Sequence, residues 1–165
     1  MSTPGQRENE LGVGNEREKR KEIKEIYRER KVIMEVYVGG RAQGKLDYVR
    51  GRYPEKGRIV FGESAGVEDC LGAEIIEHFH LFVKGFGGNS EKAFEAVGRI
   101  LEGNPQVIIL CDEIGCGIVP MEKEEREYRE LVGRIMGMVV SRAERVERLV
   151  CGIPQVLKGD GKAEG

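Results

Sequence analysis

A chain of 165 residues is the length of one domain of ordinary size. With 39% hydrophobic residues, 34% charged residues, 24 Gly and no Trp, the composition is globular rather than fibrous or wholly disordered. The formal net charge is −2, with nine Lys and Arg against seven Asp and Glu over residues 1–31 and 18 against 22 over the remainder. Neither part carries the strong positive field of a surface that coats nucleic acid, so no nucleic-acid partner is expected.

No stretch reaches the roughly 18 apolar residues of a membrane span, and no apolar signal-peptide core follows Met1, so the expected setting is the cytoplasm with no membrane partner. Residues 1–30 form a charged extension whose apolar positions include Ile23, Ile26 and Tyr27 at helical spacing, which supports a flexible segment or a short helix. Residues 31–157 then read as the folded domain, and residues 158–165 as a polar, Gly-rich flexible tail.

Within the domain the first predicted element is a β-branched strand over residues 31–38, which runs directly into glycines. A weaker strand follows at residues 58–61. Leu71, Ile75, Ile76, Phe79, Phe82 and Val83 recur at helical spacing and predict a helix over 71–83. A second helix carries Ala93, Phe94, Val97, Ile100 and Leu101, with Ser90 or Asn89 available to cap its start. Residues 107–111 are apolar without alternation, as in a parallel strand covered on both faces. A long helix after Pro120 places Tyr128, Leu131, Val132, Ile135 and Val139 on one stripe, and residues 148–151 close the series as a strand. The order predicts a three-layer α/β domain on a mainly parallel sheet.

Two loops on this frame carry candidate chemistry. Gly39, Gly40, Arg41, Ala42, Gln43, Gly44 and Lys45 fit G-x-x-x-x-G-K between a strand and a helix predicted from Leu46 to Arg50. There the glycines turn backbone N–H groups inward, the helix start adds positive potential, and the lysine reaches the outer phosphates of a nucleotide. The hydroxyl residue that ordinarily follows the lysine and ligates Mg²⁺ is replaced by Leu46. Asp112 and Glu113 stand just past the apolar strand, where an acid faces Mg²⁺ or its water. In a parallel sheet both loops open on the same edge. The loop over residues 114–120 is too apolar for idle exposure and is expected to pack near the site or against another subunit. Cys70, Cys111, Cys116 and Cys151 make no C-x-x-C pair, and three of them, in or beside apolar runs, read as buried reduced thiols rather than zinc ligands.

Three ordered segments resemble a known family. Residues 113–120 (EIGCGIVP) are similar to an E-V-G-x-G-I-V-P segment, residues 125–134 (EREYRELVGR) to a helix reading R-x-[FY]-R-D-x-x-G-R, and residues 143–154 (AERVERLVCGIP) to A-x-x-V-x-x-V-V-x-G-I-P. With residues 36–45 they resemble the bifunctional adenosylcobinamide kinase / adenosylcobinamide-phosphate guanylyltransferase family of cobalamin biosynthesis. The resemblance implies a P-loop, RecA-like α/β fold and assembly into homo-oligomers. It also implies phosphorylation of the aminopropanol hydroxyl of adenosylcobinamide by ATP or GTP with Mg²⁺, and transfer of GMP onto that phosphate through a guanylylated histidine. Carried onto this chain, residues 39–45 cradle the nucleotide, Lys45 neutralises the departing charge, and Glu113 is the family's loop acid, orienting Mg²⁺ or a reacting hydroxyl. Asp112 stands where Asn is commoner.

Three departures accompany the resemblance. Leu46 replaces Ser, Ile135, Met136 and Gly137 stand where an Asn-Gln pair is usual, and the segment with the acceptor histidine is rewritten. His78 and His80 are the only histidines and so the candidate acceptors. On one helix they point about 200° apart, so only one faces a given nucleotide. Two other readings stay open: a nucleotide- or corrinoid-binding protein with weakened catalysis, and an interaction module that recruits a partner through residues 1–30.

Overall fold

The computed structural model describes Glu18 and residues 33–160. The expected 1–30 extension therefore lies outside the described residues except for Glu18, which is exposed. In chain order the domain comprises β1 (Glu35–Gly39), α1 (Lys45–Arg52), β2 (Ile59–Phe61), α2 (Val67–Leu71), β3 (Ile75–Glu77), α3 (Phe79–Lys84), α4 (Ser90–Gly103), β4 (Ile108–Asp112), α5 (Lys123–Arg142), β5 (Arg145–Val150) and β6 (Ile153–Lys158).

The strands form one sheet in the order β2-β3-β4-β1-β5-β6. All neighbours are parallel except the final β5–β6 pair. Strand residues alternate between two covered faces. Val36, Ile76, Ile109 and Cys111 enter the core beneath α2, α3, α4 and α5, while Tyr37, Ile75, Ile108, Leu110 and Leu149 join Val49 of α1 on the opposite face. Residues 108–111 are thus apolar throughout because neither face meets water. This is the expected three-layer α/β architecture.

α4 starts where Asn89 accepts a hydrogen bond from the Lys92 N–H at 3.0 Å, satisfying one of the free amides of its first turn. α5 buries Leu131, Val132, Ile135 and Val139, the predicted stripe. α1 is pinned to the sheet by polar groups: Glu35 accepts from the hydroxyls of Tyr37 and Tyr53, and Arg52 donates to Glu147 at 3.4 Å.

Two expectations are corrected. Residues 71–83 are not one helix, because β3 lies between α2 and α3 with Ile75, Ile76 and Glu77 all buried in the sheet. Leu71, Phe79, Phe82 and Val83 belong to the flanking helices, so the apparent helical spacing runs across three elements, with Ile75 and Ile76 on opposite faces of the sheet. The last strand begins at Arg145 rather than 148 and turns through Cys151 and Gly152 into β6, whose end takes in Lys158. Both turn residues have positive φ (51° and 76°), as a tight two-residue hairpin requires. β6 escapes sequence notice because Pro154 sits in it, which an edge strand tolerates. Among the described residues no helix is long and apolar enough to cross a membrane.

Candidate functional site

β1 delivers the chain to the carboxyl edge of the sheet at Gly39, where a Cβ would lie 2.5 Å from the Leu149 carbonyl oxygen on β5. Only glycine allows this approach. The loop then turns through Ala42 (φ 56°) and Gly44 (φ 81°), and α1 begins at Lys45. The first-turn amides of that helix have no partner within it, so they face the loop as donors for an anion.

Lys45 is 4% exposed and its ammonium is fully engaged. It donates to the Gly40 carbonyl at 2.9 Å and the Gly39 carbonyl at 3.3 Å, and pairs with Asp112 Oδ1 at 2.6 Å. β1 and β4 are adjacent, with Gly39 in register with Asp112, so neighbouring strands bring the two predicted loops together. A cavity of about 420 Å³ opens there, lined by residues 41–47 on one wall and by Glu77, His78 and Asp112 on the other. Leu46 packs partly into the apolar cluster under α1 and presents no oxygen.

Asp112 is oriented from behind. Its backbone N–H donates to His80 Nδ1 at 3.4 Å, and His80 Nε2 stands 3.8 Å from Asp112 Oδ2. The Tyr128 hydroxyl of α5 donates to the His80 carbonyl at 2.8 Å. Burial pushes the His80 pKa down, against the opposing pull of Asp112, and the amide bond to Nδ1 requires that nitrogen to be unprotonated.

The two histidines do not diverge as they would on one helix. His78 lies at the β3–α3 junction in a left-handed conformation (φ 53°), and its ring meets that of His80 edge-on at 5.9 Å. His78 lines the cavity with its Nδ1 3.2 Å from Glu63 Oε2 and its Nε2 3.4 Å from Glu77 Oε1, whereas His80 is buried behind Asp112.

Glu113 occupies a different place from Asp112. Its N–H donates to the Gly39 carbonyl at 3.0 Å, and its carboxylate is gripped by Arg148 of β5 through Nε at 3.0 Å and Nη2 at 3.1 Å. It is absent from the cavity lining. The loop that follows exposes Ile118, Val119 and Met121, so within the single chain it does not pack on the site; Arg129 and Arg126 of α5 hold its carbonyls instead. Cys116 and Cys151 are exposed, leaving two buried thiols rather than three. Burial raises the Cys70 thiol to about 11 and that of Cys111 to about 12, which makes both poor nucleophiles.

Glu77 and Arg148 were not anticipated from the sequence. Glu77 ends β3 as Asp112 ends β4, an acid after a buried apolar run, but the apparent helix concealed the pattern. Burial raises its pKa, and its Oε2 has no hydrogen-bond partner among the described residues. Among those residues no group of three or more His, Cys, Asp and Glu is arranged to hold a metal. A magnesium ion bound largely through substrate phosphates needs only one or two carboxylates, and Asp112 supplies one at the cavity wall.

A glycine loop entering a helix at the carboxyl edge of a parallel sheet, with its lysine against an acid on the adjacent strand, defines a P-loop α/β fold. Residues 63–157, more than half of the chain, match the model of the family described as cobinamide kinase / cobinamide phosphate guanyltransferase, and the chain belongs to that family. The matched region spans α2 through most of β6 and leaves out the phosphate loop. The chain is also similar to the bifunctional adenosylcobalamin biosynthesis protein CobP of Pseudomonas aeruginosa, at 34% identity over 73 residues. That alignment covers 44% of this chain and 40% of the relative.

Proposed function

We propose that the protein is an adenosylcobinamide kinase of cobalamin biosynthesis that uses ATP or GTP with Mg²⁺. The observation that carries this reading is the Lys45 ammonium, paired with Asp112 at 2.6 Å in the wall of the cavity of about 420 Å³, in a chain of this family. The acceptor hydroxyl attacks the γ-phosphorus, the bond to the β,γ-bridging oxygen breaks, the nucleoside diphosphate leaves with the electron pair, and the hydroxyl proton passes by way of a phosphoryl oxygen to solvent. The loop amides and Lys45 stabilise the charge spreading over the transferred group, and the loop fixes the phosphates in line. Mg²⁺, if bound, would neutralise charge on the outer phosphates, and Asp112 would hold it, because Asp112 lines the cavity whereas Glu113 does not and Leu46 has no ligand atom. His80 supports this arrangement by fixing Asp112.

Guanylyl transfer is a second activity of the same reading. His78 is favoured over His80 as acceptor, because it lines the cavity with its ring 37% exposed and a carboxylate against Nδ1. Assembly with further copies of the chain is supported by the exposed Ile118, Val119 and Met121, and light scattering on the purified protein tests it. A cytoplasmic setting accords with the absence, among the described residues, of a membrane-spanning helix.

The test is mass spectrometry of adenosylcobinamide incubated with the protein, Mg²⁺ and ATP or GTP. A phosphorylated corrinoid is expected, with Lys45→Ala slowing its formation by ~10²-fold or more. A GMP adduct on the protein that disappears in His78→Asn identifies the acceptor. An unmodified corrinoid beside a Lys45-dependent nucleotide complex would replace the kinase with a nucleotide-binding protein of weakened catalysis.

A further inference from the structure

Residues 143–154 carry one of the strings on which the family resemblance rests, yet the reaction described above gives its last part no work. In the structure those residues form the β5–β6 turn, and the turn sits on the phosphate loop. The Cys151 N–H donates to Gln43 Oε1 at 2.7 Å, and the Gly152 N–H donates to the Gln43 carbonyl at 3.0 Å. Gln43 Nε2 in turn donates to the Arg41 carbonyl at 3.4 Å, so one amide group bridges the near limb of the loop and the hairpin. A Cβ on Gly44 would lie 3.6 Å from Gly152 Cα, ordinary contact distance. The backbone of the loop is in contact with the turn as well as its side chain.

The loop needs such a support. Ala42 on one side of Gln43 and Gly44 on the other are both left-handed. For a residue with a Cβ that conformation is strained and persists only where the surroundings impose it. The turn supplies two donors at the residue between them, the N–H groups of Cys151 and Gly152, from a backbone that is itself left-handed at both positions.

We propose that the Cys151–Gly152 turn is a clasp that holds the phosphate loop in its anion-accepting shape, with Gln43 as the positioning residue through which the β5–β6 hairpin sets nucleotide affinity. The inference rests on reading the loop as a nucleotide site and extends that site to a hairpin more than 100 residues away. The Gln43 amide oxygen is committed to the turn, so its contribution to phosphate binding is indirect.

Gln43→Met keeps the length of the side chain and removes its hydrogen bonds. The test measures Kd and KM for ATP and GTP, kcat, and hydrogen exchange at the Cys151 and Gly152 amides with and without saturating nucleotide. Wild-type protein is expected to exchange these two amides more slowly when nucleotide is bound. The variant is expected to exchange Cys151 faster, to lose the nucleotide-dependent slowing, and to bind nucleotide ~10-fold or more weakly, with the loss in KM exceeding any loss in kcat. Affinity within twofold of wild type overturns the clasp. Weakened affinity with unaltered exchange at residues 151 and 152 also overturns it, because Gln43 is then a direct nucleotide contact. Wild-type protein that binds nucleotide and protects the turn but leaves adenosylcobinamide unmodified overturns the kinase assignment and leaves the clasp standing.

Discussion

His80 is buried against Asp112, and its role is readable in the titration of the folded protein. Nδ1 accepts from a backbone amide, which a protonated imidazole cannot do, and burial lowers its pKa below the ordinary histidine value of about 6.5. Lys45 and the His78 ring disfavour the proton further, while Asp112 and Glu63 favour it. The unfolded chain therefore takes up a proton that the folded chain resists. Stability from this group is present above about pH 6.5 and is lost as pH falls through the lower folded value. Urea unfolding from pH 7 to pH 5 is expected to show a falling midpoint. His80→Asn, which offers an oxygen near the position of Nδ1, should flatten the fall more than His78→Asn does. Equal slopes in wild type and His80→Asn would place the proton uptake elsewhere.

At the scale of elements, legibility followed the length of the periodic run. α4 and α5 were legible because each keeps one apolar stripe for several turns, and β4 because five residues buried on both faces leave no polar interruption. β3 was not, since three residues cannot show a period of two, and the buried side chains of α2 and α3 beside it complete a false helical pattern. That error hid Glu77 and set the histidines apart. α5 makes a prediction of its own: Gly133 and Gly137 lie on its exposed side, away from the buried stripe, with nothing within 4 Å of an added Cβ. Replacing either by Ala removes a helix penalty of about 1 kcal/mol without a clash, so each variant is expected to gain stability of that order in denaturant titration. A loss would mean that another surface of α5 is covered in solution.

For the whole molecule the sequence exposed what is local and concealed what the strand order assembles. The glycine loop and Asp112 were visible as strings, each at the end of its own strand, and the parallel sheet rightly placed them on one edge. That β1 lies between β4 and β5 is a property of the topology, and from it follow the Lys45–Asp112 pair, the Arg148 grip on Glu113 and the contact of the Cys151–Gly152 turn with Gln43. Gly39 stands at the meeting of these three strands, in register with Asp112 on one side and Leu149 on the other. Gly39→Ala forces a Cβ to 2.5 Å from the Leu149 carbonyl, a backbone atom that cannot rotate away. Either β5 moves, carrying Arg148 and the hairpin with it, or β1 moves and tilts the phosphate loop. Overpacking of this kind costs ~1–3 kcal/mol, so the variant should unfold at lower denaturant, and in its folded fraction nucleotide affinity should fall together with amide protection at the turn. Lowered stability with full nucleotide affinity would show that the loop keeps its shape independently of the spacing between β1 and β5.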